Sequence, residues 1–170
     1  MVKAQPYTIL EELSGGVEVR HYPAHTLISV DVQGPFQYAG NAGFRPLVNY
    51  ISGANMARQQ IAMTTPVTHA PQSEALHTIS FVLPEGMTPE DAPVPADAAV
   101  SVVDKPESRV AALRWRGGFD DRQASKAEQK LLSALANAGK RVSGGVFFAR
   151  YDPPMTPIFL RRNEALVEIS

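Results

Sequence analysis

The same order of predicted elements occurs twice along this chain, and this duplication limits the possible folds more than any other feature. Gly34-Pro35-Phe36 and Gly117-Gly118-Phe119 each end a strand-like region and begin a helical pattern. Alternating apolar residues mark the strands, and apolar residues three or four positions apart mark the helices. The predicted strands cover residues 17–22, 26–32, 60–68 and 76–83 in the first half, and 99–103, 109–116, 146–152 and 165–169 in the second. The predicted helices cover residues 36–51 and 120–138.

This order predicts a single α+β domain over residues 1–170, built from two β-β-α-β-β repeats. The repeats span about residues 7–83 and 99–170. Residues 84–98 between them carry four prolines among acidic residues and alanines, which is typical of a surface connection. Two such repeats would place two helices against a curved antiparallel sheet, or a distorted antiparallel β-barrel.

Composition argues against several classes of protein. The chain has 16 basic and 17 acidic residues, and so lacks the overall positive charge that nucleic acids and anionic membranes attract. No apolar run approaches the length of a membrane span, and the absence of cysteine excludes disulfides, iron–sulfur clusters and thiolate ligands. We therefore expect no nucleic-acid partner and no membrane partner. The expected location is cytoplasmic, whereas an export signal already removed from this sequence would mean secretion.

No catalytic constellation occurs in the sequence. It contains no Gly-x-Ser-x-Gly elbow, no phosphate-binding loop and no His-Glu-x-x-His helix. The glycine pairs at 15–16, 117–118 and 144–145 fit turns and do not begin a dinucleotide fingerprint. The sequence therefore favours a binding protein over an enzyme, unless a cofactor supplies the reactivity.

The first predicted helix carries two glycines, Gly40 and Gly43, on or beside its apolar face. Each glycine costs about 1 kcal/mol of helix stability relative to alanine, so its presence needs a reason. A missing side chain permits close approach, either by a strand of the sheet or by a flat ligand. Close packing on the sheet is the simpler interpretation.

Four sequence motifs identify a family resemblance. The last of them, YDPPMTPIFLRRNEALVEIS, covers Tyr151 to Ser170 and contains a Pro-Pro turn and an Asn-centred charged turn. The other three are Glu18 to Tyr22, Gly43 to Asn55, and Ile61 to Val67. In this order they closely resemble the SOUL haem-binding family over about residues 7–169. The resemblance implies a distorted barrel with pseudo-twofold symmetry, similar to the effector-binding domains of some bacterial transcription regulators.

The resemblance also implies a ligand, haem or a related tetrapyrrole, and a possible iron ligand. Some family members carry a histidine at the position of His21, where it is the proposed axial ligand, and others lack it. Alternation in the strand predicts that His21 shares an apolar face with Val17 and Val19. The alternative is a half-exposed histidine near the end of a strand, before Pro23.

The haem cleft implied by the resemblance lies along the first helix. It would bring Gly40, Phe44 and Leu47 against the macrocycle, and Arg45 is the helix's only cation and a candidate partner for a propionate. The alternative for Arg45 is a solvated side chain.

Three further residues are candidate haem contacts. Met63 alternates with Ile61 and fits the core, although methionine also ligates haem iron. Tyr151 is a candidate ligand or hydrogen-bond partner, or else a strand-end tyrosine whose hydroxyl reaches water. Met155 stands where the family more often has an aromatic residue, and offers a soft sulfur in place of a stacking surface. His69 and His77 have no metal-site spacing, and a solvated hairpin loop is the expected environment for both.

These features lead to three hypotheses. The first is a haem or tetrapyrrole-binding protein that buffers or carries its ligand in an apolar cleft. The second is a sensor-type domain for another amphipathic small molecule, although no DNA-binding helix pair is attached. The third is an enzyme that modifies a tetrapyrrole.

Overall fold

The structure is a computed structural model that describes residues 2–170. Within these residues the two α-helices are α1 (Phe36–Ile51) and α2 (Asp121–Asn137). The strands are β1 (Lys3–Ala4), β2 (Thr8–Glu12), β3 (Val17–Tyr22), β4 (His25–Gln33), β5 (Thr64–Thr65), β6 (Val67–Pro71), β7 (Leu76–Val82), β8 (Val100–Lys105), β9 (Ser108–Arg116), β10 (Phe147–Arg150) and β11 (Arg162–Glu168).

The chain forms two compact units. The first unit contains Ala24–Pro106 with the N-terminal residues up to Gln5, and the second contains Pro6–Pro23 and Glu107–Ser170. Each unit takes a strand from the other half of the sequence, because β8 pairs with β4 in the first unit and β3 pairs with β9 in the second. The predicted repeats describe the order of elements along the sequence and remain a prediction.

In the first unit, α1 packs on antiparallel strands in the order β6-β7-β4-β8. The short strands β1 and β5 form a separate parallel pair. Helical spacing brings Ala39, Gly43, Leu47 and Tyr50 onto the buried face of α1. At Gly43 the helix lies so close to the sheet that a Cβ atom would meet Ile79 Cγ1 at 2.6 Å. Gly43 is therefore a packing residue.

In the second unit, α2 packs on the antiparallel strands β9 and β11, in the order β2-β3-β9-β11-β10. Asp120 begins α2 with a capping box: its side chain accepts from the Gln123 backbone N–H, and the Gln123 side chain accepts from the Asp120 N–H. The buried stripe of α2 consists of Ala124, Ala127, Leu131 and Leu135.

The predicted α+β class, with two helices packed on antiparallel strands, is confirmed. The first helix has the predicted bounds and the second differs by one residue at each end. One prediction about a strand is wrong. The segment 60–68 contains strand only from Thr64, and the strand is interrupted at Pro66, which has no N–H to donate to a neighbouring strand.

Candidate functional site

One flank of α1 presents an aromatic side chain beside a position with no side chain. Phe36, Gly40 and Phe44 follow one another at four-residue intervals, so they form one row along the helix. Phe44 is 43% exposed, and its ring meets the buried Phe81 ring edge-on at a centroid distance of 5.3 Å. Gly40, which has no side chain, stands between the two phenylalanines in this row. Arg45, also exposed, follows Phe44 on the helix.

Two other predicted contacts in the first unit lie in its core. Leu47 has no exposed surface, and it packs in the cluster that includes Ile79 and Phe81. Met63 is partly buried against the same cluster. Both residues stabilise the packing of α1 on the sheet, and a ligand would reach them only after side chains move.

His21 is a half-exposed candidate iron ligand in the second unit. It lies in β3 with 36% of its side chain exposed, opposite Thr8 of β2 and Arg109 of β9. Its Nε2 atom is 3.4 Å from Oε2 of Glu107, a side chain that is 75% exposed. Because the carboxylate is exposed, it can move away from Nε2 at little cost.

The other face of β3 carries a buried polar cluster around Arg20, which sequence reasoning did not identify as a site. The Arg20 guanidinium donates from Nη1 and Nη2 to the two carboxylate oxygens of Glu164, at 2.9 and 2.6 Å. It also donates to Glu18 and to the hydroxyl of Tyr22, and it lies 4.1 Å from the centroid of the Tyr7 ring.

Glu164 is the centre of this cluster and is completely buried. Besides Arg20, it accepts hydrogen bonds from the Tyr151 hydroxyl at 2.7 Å and from Arg114 Nε at 3.1 Å. Tyr151 is itself buried, so its hydroxyl does not reach water as one interpretation of the sequence expected. Arg20 of β3 and Glu164 of β11 thus form an ion pair between residues far apart in the sequence.

Burial and the charges of the cluster shift several pKa values. Burial opposes ionisation of Glu164, but the hydrogen bonds and charge of Arg20 outweigh it and hold the pKa of this carboxyl below its ordinary value. Burial raises the pKa of Tyr22 to about 12, against the opposing effect of Arg20. Burial and the Glu164 charge raise the pKa of Tyr151 well above its ordinary value. The cluster therefore holds fixed charges near neutral pH and offers no proton to a reaction.

The remaining candidates lie apart from these sites in the sequence. Met155 is 90% exposed in the turn region after Tyr151. His69 and His77 are each only 2% exposed, with His69 Nε2 2.9 Å from His77 Nδ1 and the His69 ring stacked on Phe36. The expected solvated loop is therefore wrong for both histidines, because they lie in β6 and β7 on the face that α1 covers. Among residues 2–170 no group of three potential metal ligands is present.

One signal in the sequence pointed toward the Arg20 cluster. Glu18 and Arg20 are charged residues inside a predicted strand, Glu164 ends the predicted turn before another, and Tyr22 lies two residues from Arg20. Opposite charges on one face of a strand indicate an ion pair there, but the sequence does not show which strands become neighbours. No helix among residues 2–170 is long and apolar enough to cross a bilayer.

Comparisons with known proteins agree with this fold. A domain with the same arrangement is the C-terminal domain of EcmrR, with a TM-score of 0.68 and 11% identity, covering 96% of this chain and 98% of that one. SAV2435, solved with tetraphenylphosphonium bound, has a TM-score of 0.54 and 11% identity, with coverage of 91% and 93%. At such low identity these likenesses show the fold alone.

Sequence relatives are closer. Heme-binding protein 2 of Mus musculus is 31% identical over 91% of this chain and 82% of its own length. Heme-binding protein 2 of Homo sapiens is 33% identical over 88% of this chain and 76% of its own length. The sequence model of the family described as SOUL heme-binding protein matches residues 2–168. Because this match covers nearly the whole chain, the chain belongs to the SOUL heme-binding protein family.

Proposed function

We propose that this protein binds haem or a related tetrapyrrole and acts as a haem buffer or carrier. The observation that carries the proposal is the family match over residues 2–168, since the relatives in mouse and human are both named for binding haem. The arrangement of side chains on α1 supports it. The lack of a catalytic motif in the sequence is consistent with reversible binding.

The proposed haem contact is the flank of α1 that contains Gly40 and Phe44. A porphyrin is flat and apolar, so it needs an aromatic or aliphatic surface and a place without protruding side chains. Phe44 supplies an exposed ring, and Gly40 is a neighbouring position of the same row without a side chain. Arg45 is exposed and cationic, and a propionate can accept charge-assisted hydrogen bonds from it.

We propose His21, in the second unit, as an axial ligand to haem iron, independently of the contact proposed on α1. Its imidazole is accessible, and neutral imidazole is a common ligand of haem iron. Ligation through Nε2 requires Glu107 to turn away into solvent. Leu47, Met63 and Tyr151 are weaker candidates because they are buried or hydrogen-bonded, and Met155 is weaker because its exposed side chain offers little enclosure.

An absorbance titration with ferric haem tests the proposal. The unmodified protein should give a saturable Soret shift at a single equivalent of haem. Phe44→Ala should raise the dissociation constant about fivefold to tenfold, the loss expected for an aromatic contact. Tyr38→Ala is the matched control, because Tyr38 is an exposed aromatic residue of the same helix outside the Phe44 row. No saturable shift in the unmodified protein would reject haem as the ligand.

His21→Ala separates ligation from apolar binding. If His21 is the ligand, the variant should lose the Soret position of the histidine complex, whereas an unchanged spectrum would remove His21 from the site. The carrier role needs a second measurement, the transfer of haem from the loaded protein to apomyoglobin. Haem that cannot be transferred, or that is degraded when ascorbate is added, would contradict a carrier and favour an enzyme.

A further inference from the structure

The segment Pro153–Leu160 of the second unit, which we term the 153–160 loop, is uncharged and mostly apolar. Four of its apolar side chains are exposed: Met155 by 90%, Phe159 by 72%, Ile158 by 59% and Leu160 by 45%. Exposed apolar residues that occur singly are common in proteins, but four in one short segment mark an interaction surface.

The backbone of the 153–160 loop is held in place by arginines. Arg161 donates from Nε to the Thr156 carbonyl oxygen at 2.8 Å and from Nη2 to the Pro154 carbonyl oxygen at 2.6 Å. Arg116 donates from Nη1 to the Leu160 carbonyl oxygen at 3.1 Å. The apolar side chains thus project from an anchored loop, and their exposure does not result from a missing backbone contact.

Positive charge collects beside this loop although the whole chain has a net charge of −1. Within residues 2–170, no carboxylate forms an ion pair with Arg116, Arg150 or Arg161. Asp152, two residues after Arg150, is bound by Arg162, and the charge of Arg116 also lowers the pKa of its carboxyl.

The fold creates this concentration of charge. Arg116 ends β9, Arg150 ends β10, and Arg161 precedes β11, so all three arginines lie at the same end of these neighbouring strands, where the 153–160 loop also lies. Arg150 and Arg161 interact closely enough that burial and the neighbouring positive charge lower the pKa of Arg150. An anion near these groups would relieve their repulsion.

The exposure of the apolar side chains distinguishes between possible partners. A side chain that is 90% exposed touches almost nothing, so the loop is convex, whereas small ligands bind in concave sites. A lipid bilayer surface can receive a convex apolar loop, and anionic headgroups complement arginines at its base. We propose that the 153–160 loop is a peripheral membrane contact that inserts Met155 and Phe159 into the interface of an anionic bilayer, with Arg116, Arg150 and Arg161 at the level of the phosphates.

Vesicle sedimentation tests this proposal on the full chain. The protein should sediment with vesicles of phosphatidylcholine containing about 30% phosphatidylserine, and at least about tenfold less with phosphatidylcholine alone. The variant Met155→Ser/Phe159→Ser should reduce the partition coefficient on anionic vesicles at least about tenfold. The matched control is Met56→Ser/Tyr38→Ser, whose residues are also exposed but lie in the first unit, and it should bind like the unmodified protein.

Several outcomes would overturn the proposal. Absence of vesicle binding, equal binding to both lipid mixtures, or full binding by the loop variant would each do so. If sedimentation velocity shows that the unmodified protein is a dimer and the loop variant a monomer, the loop is instead an interface with a second copy of the chain. The haem titration of the loop variant keeps the two proposals separate. Unchanged haem binding with lost vesicle binding supports a membrane contact, and loss of haem binding would assign the loop to the ligand.

Discussion

Arg20 and Glu164 form an ion pair in the interior of the second unit, with 2% and 0% of their side chains exposed. Removing two charges from water costs several kcal/mol for each ion, and their attraction returns this only when the geometry is good and the remaining hydrogen-bonding positions are filled. Both conditions hold, because the guanidinium binds both oxygens of Glu164 and also contacts Glu18 and Tyr22. Such a pair adds little net stability, but each partner depends strongly on the other.

Replacement of Arg20 by methionine should therefore lower the free energy of unfolding by about 3–5 kcal/mol. The variant keeps most of the apolar stem but leaves the Glu164 carboxylate buried with only Tyr151 and Arg114 as donors. Urea unfolding followed by circular dichroism gives the difference.

The double variant Arg20→Met/Glu164→Gln identifies the cause of that loss. It removes the buried carboxylate charge, which after the loss of Arg20 only the partly exposed Arg114 would balance, so it should be more stable than Arg20→Met alone. Arg122→Met, at an exposed position of α2, controls for loss of a charge and should change stability by less than about 0.5 kcal/mol. If Arg20→Met unfolds at the same urea concentration as the unmodified protein, the buried pair does not hold Glu164 as described.

At the scale of elements, the contact of α1 with β7 depends on a single missing methyl group. A Cβ atom at Gly43 would lie 2.6 Å from Cγ1 and 2.7 Å from Cβ of Ile79. The Ile79 Cβ atom is fixed by the backbone, so the helix or the strand would have to move. Gly43→Ala should lower the free energy of unfolding by about 1–3 kcal/mol, although alanine favours helix formation.

Asn41→Ala is the matched control for this prediction. Asn41 is exposed on the same helix, so its replacement should raise stability slightly through helix propensity alone. Differential scanning calorimetry on the two variants should show melting temperatures that move in opposite directions. A rise for both would mean that α1 is not packed on β7 as closely as the structure shows.

The helices were predictable from the sequence because their signals are local. The apolar spacing and the Ser52-Gly53 end define α1, and Asp120 with Gly139 bounds α2. The partners of the strands were not predictable in the same way. β3 and β4 are neighbours in sequence, but β3 pairs with β9, and hydrophobic alternation carries no information about which distant strand will be the neighbour.

The candidate functional residues differ in the same way, because some follow from local spacing and others from long-range strand pairing. Phe44 and Gly40 were identified from local spacing and the family resemblance, and they are accessible on one row of α1. The cluster at Arg20 required knowledge that β3 and β11 both pair with β9, which brings Arg20 and Glu164 into contact across 144 residues. Charged residues in strands were visible in the sequence, but the long-range pairing that buries them was not.

At the scale of the whole molecule, the shifted pKa values define how stability should vary with pH. The pKa of Glu164 is lowered in the folded state by Arg20, against the effect of burial, and that of Asp152 is lowered mainly by its hydrogen bond to Arg162. A carboxyl with a lowered folded pKa stabilises the fold above its unfolded pKa, and this contribution is lost as the pH falls through the folded pKa. Stability should therefore decrease below about pH 5.

Buried tyrosines determine how stability varies with pH on the alkaline side. Burial raises the pKa of Tyr22 from 10.0 to about 12, and the pKa of Tyr151 is raised in the same direction. A group with a raised folded pKa stabilises the fold fully below its unfolded pKa, and this contribution is lost as the pH rises toward the folded value. Urea midpoints should thus fall between about pH 10 and 12.

Tyr22→Phe tests the alkaline limb directly. The phenylalanine has no proton to lose. The decline in the free energy of unfolding between about pH 10 and 12 should therefore be smaller by about 2 kcal/mol. At neutral pH the variant should be less stable than the unmodified protein, because it loses the hydrogen bond from Arg20. Tyr38→Phe changes an exposed tyrosine and should leave the slope unaltered. Because the comparison is between slopes, a general loss of stability cannot imitate the result. The opposite result would be a free energy of unfolding that declines equally with pH in the Tyr22→Phe variant and the unmodified protein. Tyr22 would then ionise as readily in the folded state as in the unfolded one. That result is incompatible with the burial of Tyr22 between Arg20 and the Tyr7 ring.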